Sequence, residues 1–151
     1  MTELLAPSDH LWLVSPWVSD IAVVDNAAGS YEPLVSEWGT RHLRLAELLA
    51  GLIRRDAVIT LATRPIPESE IFVEQVRNDL AVRGGDASRF RVHRSDILHE
   101  KGLLGNGFHL SGSMNFTMNG IELLEEAVIY ETDPALIAEA RLDFERRWSE
   151  V

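Results

Sequence analysis

Short apolar runs with the look of buried strands alternate along this chain with longer stretches of helical periodicity. That alternation narrows the available folds more than any other feature. Leu11-Trp12-Leu13-Val14 reads as a buried strand, and Ser15-Pro16-Trp17 ends it, because proline cannot continue an inner ladder. Between Thr40 and Arg55 the apolar positions Leu45, Leu48, Leu49, Leu52 and Ile53 follow helical spacing, with Thr40 as N-cap. Ala57 to Ala62 is a second buried strand. A helix from about Glu68 to Arg83 then places Phe72, Val76 and Leu80 on one stripe and stops at Gly84-Gly85. Phe90 to His93 alternates as a strand, and Ile97 to Lys101 with Phe108 to Ser111 reads as a hairpin turning at Gly105-Asn106-Gly107. Ala127 to Tyr130 is read as another buried strand. The last helix has Asp133 as N-cap, Pro134 at its first position, and Ile137, Ala140, Phe144 and Trp148 on one face. Strands alternating with helices predict an α/β fold, and the hairpin demands an antiparallel pair, so the expected sheet is mixed and flanked by helices on both faces. No internal repeat is visible.

With 151 residues, 46% of them apolar, the chain suits one compact domain over residues 1–151, and no Ser, Gly or Pro tract marks a linker. Cysteine is absent, which excludes a disulfide framework, a thiolate metal site and thiol redox chemistry. The first nine residues lack a basic leader, and the apolar run Leu11 to Val18 is broken by Ser15-Pro16 and too short to span a bilayer. The expectation is a cytoplasmic protein with no membrane association. A formal net charge of −10 opposes broad, nonspecific contact with nucleic acid. Arg83, Arg89, Arg91 and Arg94 nevertheless cluster ahead of His99, and can be read either as a solvated face or as a local basic rim.

Lys and Arg together number 14, and Lys101 is the sole lysine. It lies in His99-Glu100-Lys101-Gly102-Leu103-Leu104-Gly105-Asn106, with Gly112-Ser113-Met114-Asn115-Phe116-Thr117 following. Residues two apart on a strand share a face, so His99 and Lys101 are expected side by side. An imidazole beside an ammonium can attack phosphorus while the cation holds a nonbridging oxygen, a chemistry that needs neither metal nor cofactor. Asn115 adds an amide donor and Ser113 a hydroxyl, and a tight turn at Gly112 can bring backbone close to a phosphate. His10, His42, His93 and His109 have no partner at ligand spacing and read as surface or satisfied histidines. Trp12, Trp38 and Trp148 read as packing residues, whereas Trp17 suits either the core or a pocket.

The two stretches together resemble the HxK…GSxN signature of the phospholipase D superfamily, and the resemblance runs from about Leu11 to Trp148. It implies a phospholipase D-like sandwich carrying one motif per chain. It also implies a phosphohistidine mechanism in which His99 is the nucleophile, Lys101 and Asn115 hold the phosphate, and Ser113 contributes to the pocket. Glu125, within Glu122 to Glu126, resembles the downstream carboxylate that orients the histidine ring, and Ser15-Pro16-Trp17 resembles a segment lining the pocket. Two histidines are normally needed, one to attack and one to protonate the leaving oxygen. A chain with one motif therefore implies a homodimer sharing a single site, as in the small bacterial nucleases of the family, with DNA or RNA as substrate. The pattern expects aspartate where this chain has Asn106, and the interval from Lys101 to Gly112 is slightly short. Two rivals remain. One is a noncatalytic nucleic-acid-binding or assembly subunit of a bacterial DNA-processing or defence complex, and the other is a phospholipid phosphodiesterase.

Overall fold

The computed structural model describes residues 2–31, 38–117 and 127–148. After a helical turn, α1 (Thr2–Leu5), come strands β1 (His10–Val14), β2 (Ala22–Asp25) and β3 (His42–Arg44), helix α2 (Leu45–Arg54), β4 (Val58–Thr63), α3 (Pro67–Arg83), β5 (Phe90–Arg94), β6 (Gly102–Leu104), β7 (His109–Gly112), β8 (Val128–Glu131) and α4 (Pro134–Trp148). Six strands form one mixed sheet in the order β5-β4-β1-β6-β7-β8, while β2 and β3 make a separate two-stranded ribbon. β1 pairs parallel with β4, and β4 with β5, whereas β1–β6, β6–β7 and β7–β8 are antiparallel.

The alternation of side chains along β1 divides the core. Leu11 and Leu13 pack against Leu45, Leu49, Leu52 and Ile53 of α2 and against Phe72, Val76 and Leu80 of α3. Trp12 and Val14 point the other way, onto Ile137, Phe144 and Trp148 of α4. Helices thus cover both faces of the sheet. Each fully buried Leu or Phe contributes on the order of 1.5–3 kcal/mol relative to exposure, so these two layers supply most of the drive to fold. No helix among the described residues is long and apolar enough to cross a membrane.

Three expectations about the elements change. The helix from Thr40 begins instead at Leu45, because His42, Leu43 and Arg44 pair with Asp25, Val24 and Ala22. Asp20 captures Arg44 and, through Oδ1, accepts the Ala46 N–H at 2.9 Å, so a distant carboxylate caps the helix in place of Thr40. The first hairpin arm is Gly102–Leu104 and not Ile97–Lys101. β1 offers a ladder partner only as far as the Val14↔Gly102 pair, since the Ser15 N–H turns to Ala62 O and Pro16 has no N–H. The strand at Ala127 to Tyr130, read as buried, is exposed: Val128, Ile129 and Tyr130 of β8 lie at the sheet edge, 44%, 64% and 59% accessible. The other elements read from the sequence fall within a residue or two of expectation, whereas α1 and the β2–β3 ribbon were not anticipated. Asp133 caps α4 by accepting from the Ala135 and Leu136 N–H groups.

His10, at the start of β1, stacks on Trp12 with ring centroids 3.5 Å apart and hydrogen-bonds Thr60 Oγ1 at 2.8 Å. Burial, with Arg91 and Arg141 nearby, pushes its imidazole from the ordinary 6.5 down to about 4. Folding therefore favours the neutral ring, so the stability His10 contributes is complete above pH 6.5 and is lost as the pH falls toward 4. The urea midpoint of the wild type is expected to drop more steeply over that window than that of His10→Phe, which keeps the stacked ring but cannot titrate. Parallel pH profiles of the two proteins would show otherwise.

Candidate active site

The strand directions bring the His99–Lys101 segment, the Gly112 loop and Ser15-Pro16-Trp17 to one end of the sheet. β1, β4, β5 and β7 run toward that end and β6 and β8 away from it. It therefore carries Ser15-Pro16-Trp17, the residues after Thr63, the segment leading into Gly102, and the Gly112 loop. In open α/β sheets the carboxyl ends of parallel strands are where ligands bind.

His99 and Lys101 lie in the irregular segment just before β6, where His99 is exposed and Lys101 half-buried. Two cations hold the main chain here. Arg64 Nε donates to the Leu98 carbonyl at 2.8 Å, and Lys101 Nζ donates to the His99 carbonyl at 2.7 Å. Glu100, between them, forms an ion pair with Arg147 of α4. The backbone on either side of the imidazole is thus fixed by side chains in place of a ladder.

Lys101 and the Gly112 loop share a narrow crevice of about 10 Å³, with Lys101, Leu110, Gly112, Met114, Phe116 and Val128 in its walls. That is room for about one water. The structure therefore brings Lys101 and the second motif together. Gly112 has φ 152°, and a Cβ there would sit 2.0 Å from the Ala127 carbonyl oxygen, so only glycine lets β7 and β8 close at this point. Ser113 donates its N–H to Ala127 O at 3.0 Å and accepts the Ala127 N–H on Oγ at 3.1 Å, extending the junction by one residue. Asn115 is half-buried, and its Oδ1 has no hydrogen-bond partner among the described residues. A buried acceptor left open costs about 1–3 kcal/mol, and only a hydrogen-bond donor can complete it, while the Nδ2–H groups of the same amide are the ones suited to an anion.

Ser15 is fully buried, and its hydroxyl donates to Trp17 O at 2.6 Å and accepts the Phe116 N–H at 3.3 Å. Together with the Ser19 N–H bonded to Phe116 O at 3.0 Å, it ties the end of β1 to the Asn115 loop. Its direct role is thus to position the loop. Trp17 is 38% exposed, and the Arg64 guanidinium carbon lies 4.9 Å from the centre of its ring. Glu125, along with Glu122 and Glu126, lies outside the described residues.

Asn106 sits at the opposite end of the sheet, in the β6–β7 turn. Its N–H donates to Ser8 Oγ at 2.7 Å and its Nδ2 to Asp9 Oδ2 at 3.2 Å. An aspartate there would face the Asp9 carboxylate, so the amide suits this turn. The other histidines are accounted for by packing or surface pairing. His10 stacks on Trp12, His93 meets Trp148 edge-on, and His109 meets Phe144 edge-on, while exposed His42 lies near Asp25. Burial lowers the His109 imidazole, against the opposing pull of Glu100 and Glu131. The arginine cluster is largely neutralised: Arg83 pairs with Glu47, Arg89 with Asp56 and Arg94 with Glu70. Arg64 belongs to no motif, and its one signal in the sequence is an arginine one residue past a buried strand.

No protein-family model matches this chain, and no curated protein matches it. Among solved structures it is similar to Nuc from Salmonella typhimurium, a phospholipase D family member, with a TM-score of 0.63 and 13% identity over 98% of this chain and 83% of that one. NucT from Helicobacter pylori aligns with a TM-score of 0.56 and 10% identity over 95% of this chain and 82% of that one. TrmBL2, an archaeal chromatin protein whose structure shows a novel mode of DNA binding, aligns at 0.53 and 12% over 98% of this chain and 46% of that one. The chain has the fold of phospholipase D family members.

Three substitutions test the local architecture. Gly112→Ala should lower the melting temperature and displace the Asn115 loop, whereas Gly107→Ala, whose added methyl meets nothing within 4 Å, should stay within about 0.5 kcal/mol of wild type in urea denaturation. Ser15→Ala leaves the Trp17 carbonyl and the buried Phe116 N–H unpaired and should cost about 1–3 kcal/mol. An unchanged midpoint would show that the Ser15 tie contributes nothing.

Proposed function

We propose that this protein is a metal-independent phosphodiesterase, a nuclease that cleaves DNA or RNA through a phosphohistidine on His99 at a site shared across a homodimer. The observation that carries this reading is the meeting of Lys101 with the Gly112–Phe116 loop in one crevice, beside the exposed His99, on a phospholipase D-like fold. The domain is taken as residues 1–151, working in the cytoplasm, where a cysteine-free chain is at no disadvantage.

In the proposed reaction an imidazole nitrogen of one His99 attacks phosphorus, and the P–O bond to the leaving strand breaks as the P–N bond forms. The leaving alkoxide takes a proton from the imidazolium of the second copy's His99. Water then attacks phosphorus, giving its proton to that imidazole, and the P–N bond breaks to regenerate the enzyme. Lys101 and the Asn115 amide meet the negative charge on the nonbridging oxygens, and Ser113 and Gly112 shape the loop that holds Asn115. Glu125 is the carboxylate assigned to orienting the imidazole. Trp17, partly exposed at the same end, offers a face for a base. The open edge strand β8, apolar and exposed from its first residue beside the Gly112 loop, supports association of two copies next to the site.

The second reading is a noncatalytic nucleic-acid-binding or assembly subunit of a larger DNA-processing or defence complex. The net charge of −10 and the shared fold with a DNA-binding chromatin protein favour it. The intact His99, Lys101, Ser113 and Asn115 favour catalysis. A lipid phosphodiesterase has the weaker support of the same motif without a membrane-crossing helix among the described residues.

Labelled single- and double-stranded DNA and RNA should be cut in excess EDTA, with activity rising more than linearly in protein concentration where the dimer dissociates. His99→Ala should cut roughly a thousandfold more slowly or not at all. Cleavage abolished by EDTA, or retained by His99→Ala, would refute the mechanism. Silence on nucleic acids and on bis(p-nitrophenyl) phosphate alike would leave the binding subunit as the better reading.

A further inference from the structure

Arg64 follows β4 directly, and three contacts hold it. Its N–H donates to Pro16 O at 3.3 Å, its Nε donates to the Leu98 carbonyl at 2.8 Å, and its guanidinium carbon stands 4.9 Å from the centre of the Trp17 ring. It is half-buried. Among the described residues no carboxylate pairs with it, although Arg41, Arg44, Arg77, Arg83, Arg89, Arg94, Arg146 and Arg147 all have one. Arg55, Arg91 and Arg141 are likewise without a carboxylate pair among the described residues, but of these four only Arg64 is bonded to the main chain beside His99, in a chain with 24 acidic residues against 14 basic ones. The Nε anchor and the indole fix the plane of the guanidinium, and none of the described hydrogen bonds uses its two terminal nitrogens. That is the arrangement in which arginine binds phosphate through two parallel N–H donors with little further loss of rotamer freedom. The anchor carbonyl belongs to the residue before His99, so this second cationic point adjoins the nucleophile without being part of its Lys101 and Asn115 pocket.

We propose that Arg64 and Trp17 form a second subsite, which grips a phosphate flanking the scissile one on a single nucleic-acid strand while the indole stacks against the neighbouring base. The proposal rests on the phosphodiesterase reading for its kinetic test but not for its binding test. Arg64 and Trp17 lie together at the sheet end that carries the motif, so a strand whose scissile phosphate lies at His99 passes over them.

The test pairs a single-stranded oligonucleotide, which has flanking phosphates, with bis(p-nitrophenyl) phosphate, which has none. Arg64→Gln should reduce the preference for the oligonucleotide, as the ratio of the two kcat/KM values, by about tenfold or more, mainly through KM. Arg64→Lys, keeping the charge but not the paired donors, should fall between. An equal loss on both substrates would mean that Arg64 only supports the His99 segment through Leu98, and would overturn the subsite, as would no loss on either. Binding is read separately by fluorescence anisotropy of a labelled oligonucleotide in EDTA on His99→Ala protein, with and without Arg64→Gln. Loss of one phosphate contact should weaken binding about tenfold and flatten the slope of log K against log salt by about 0.7. If wild type cuts neither substrate but this binding difference holds, the catalytic reading fails and the subsite stands. If neither affinity nor salt slope changes, the subsite fails whatever the catalytic outcome.

Discussion

The register of β1 is the constraint from which the rest of the molecule follows. This fully buried strand pairs parallel with β4 on one side and antiparallel with β6 on the other, so the sheet changes character across it. Its side-chain alternation sends Leu11 and Leu13 to one helical layer and Trp12 and Val14 to the other. Its abrupt stop at Ser15-Pro16 ends the ladder to β6 at Gly102, leaving His99 to Lys101 without strand partners. A slip of one residue would exchange the two core layers and move the point at which the histidine segment leaves the sheet.

The unpaired segment that carries His99 needs another source of rigidity, and here side chains supply it. Arg64 holds the carbonyl before His99 and Lys101 holds the carbonyl of His99 itself, while the Glu100–Arg147 pair draws the segment toward α4. On the facing loop, the Ser15 hydroxyl and the Gly112–Ala127 junction do the equivalent work. The loops that meet at the sheet end are thus anchored to residues flanking β1, β4 and β8. Preorganisation of this kind is what electrostatic stabilisation of a transferring phosphoryl group requires.

The electrostatics bear on the proposal that an acidic protein presents a site to a polyanion. Most arginines are matched locally, as Arg41 and Arg83 are by Glu47 and Arg94 is by Glu70, and exposed pairs of this sort contribute only about 0–1 kcal/mol each to stability. Their effect is to remove positive charge from the general surface. Lys101 and Arg64 have no carboxylate partner among the described residues and leave two uncompensated cations at the sheet end where the motif loops converge, as Arg55, Arg91 and Arg141 do elsewhere. The basic rim that clustering in the sequence allowed at Arg83 to Arg94 is largely a solvated ion-pair face.

The α/β class, most strand and helix cores and the residues of the proposed motif were legible in the sequence. Hydrophobic periodicity, proline and glycine are local signals, and Asp133-Pro134 or Gly84-Gly85 act within a turn of where they stand. What it could not convey were effects created by distant partners. Thr40 looks like an N-cap until Asp20 is found beside Ala46. Ile97 to Lys101 looks like a strand until the limit of the β1 ladder is known, and the apolar Ala127 to Tyr130 looks buried until β8 is seen to close one edge of the sheet. Tertiary structure alone decided that Ser15 braces the Asn115 loop, that Asn106 serves a turn at the far end, and that Arg64 stands over Trp17 beside the histidine segment. Each of these depends on contacts between residues dozens of positions apart, which only the folded register of the sheet brings within hydrogen-bonding reach.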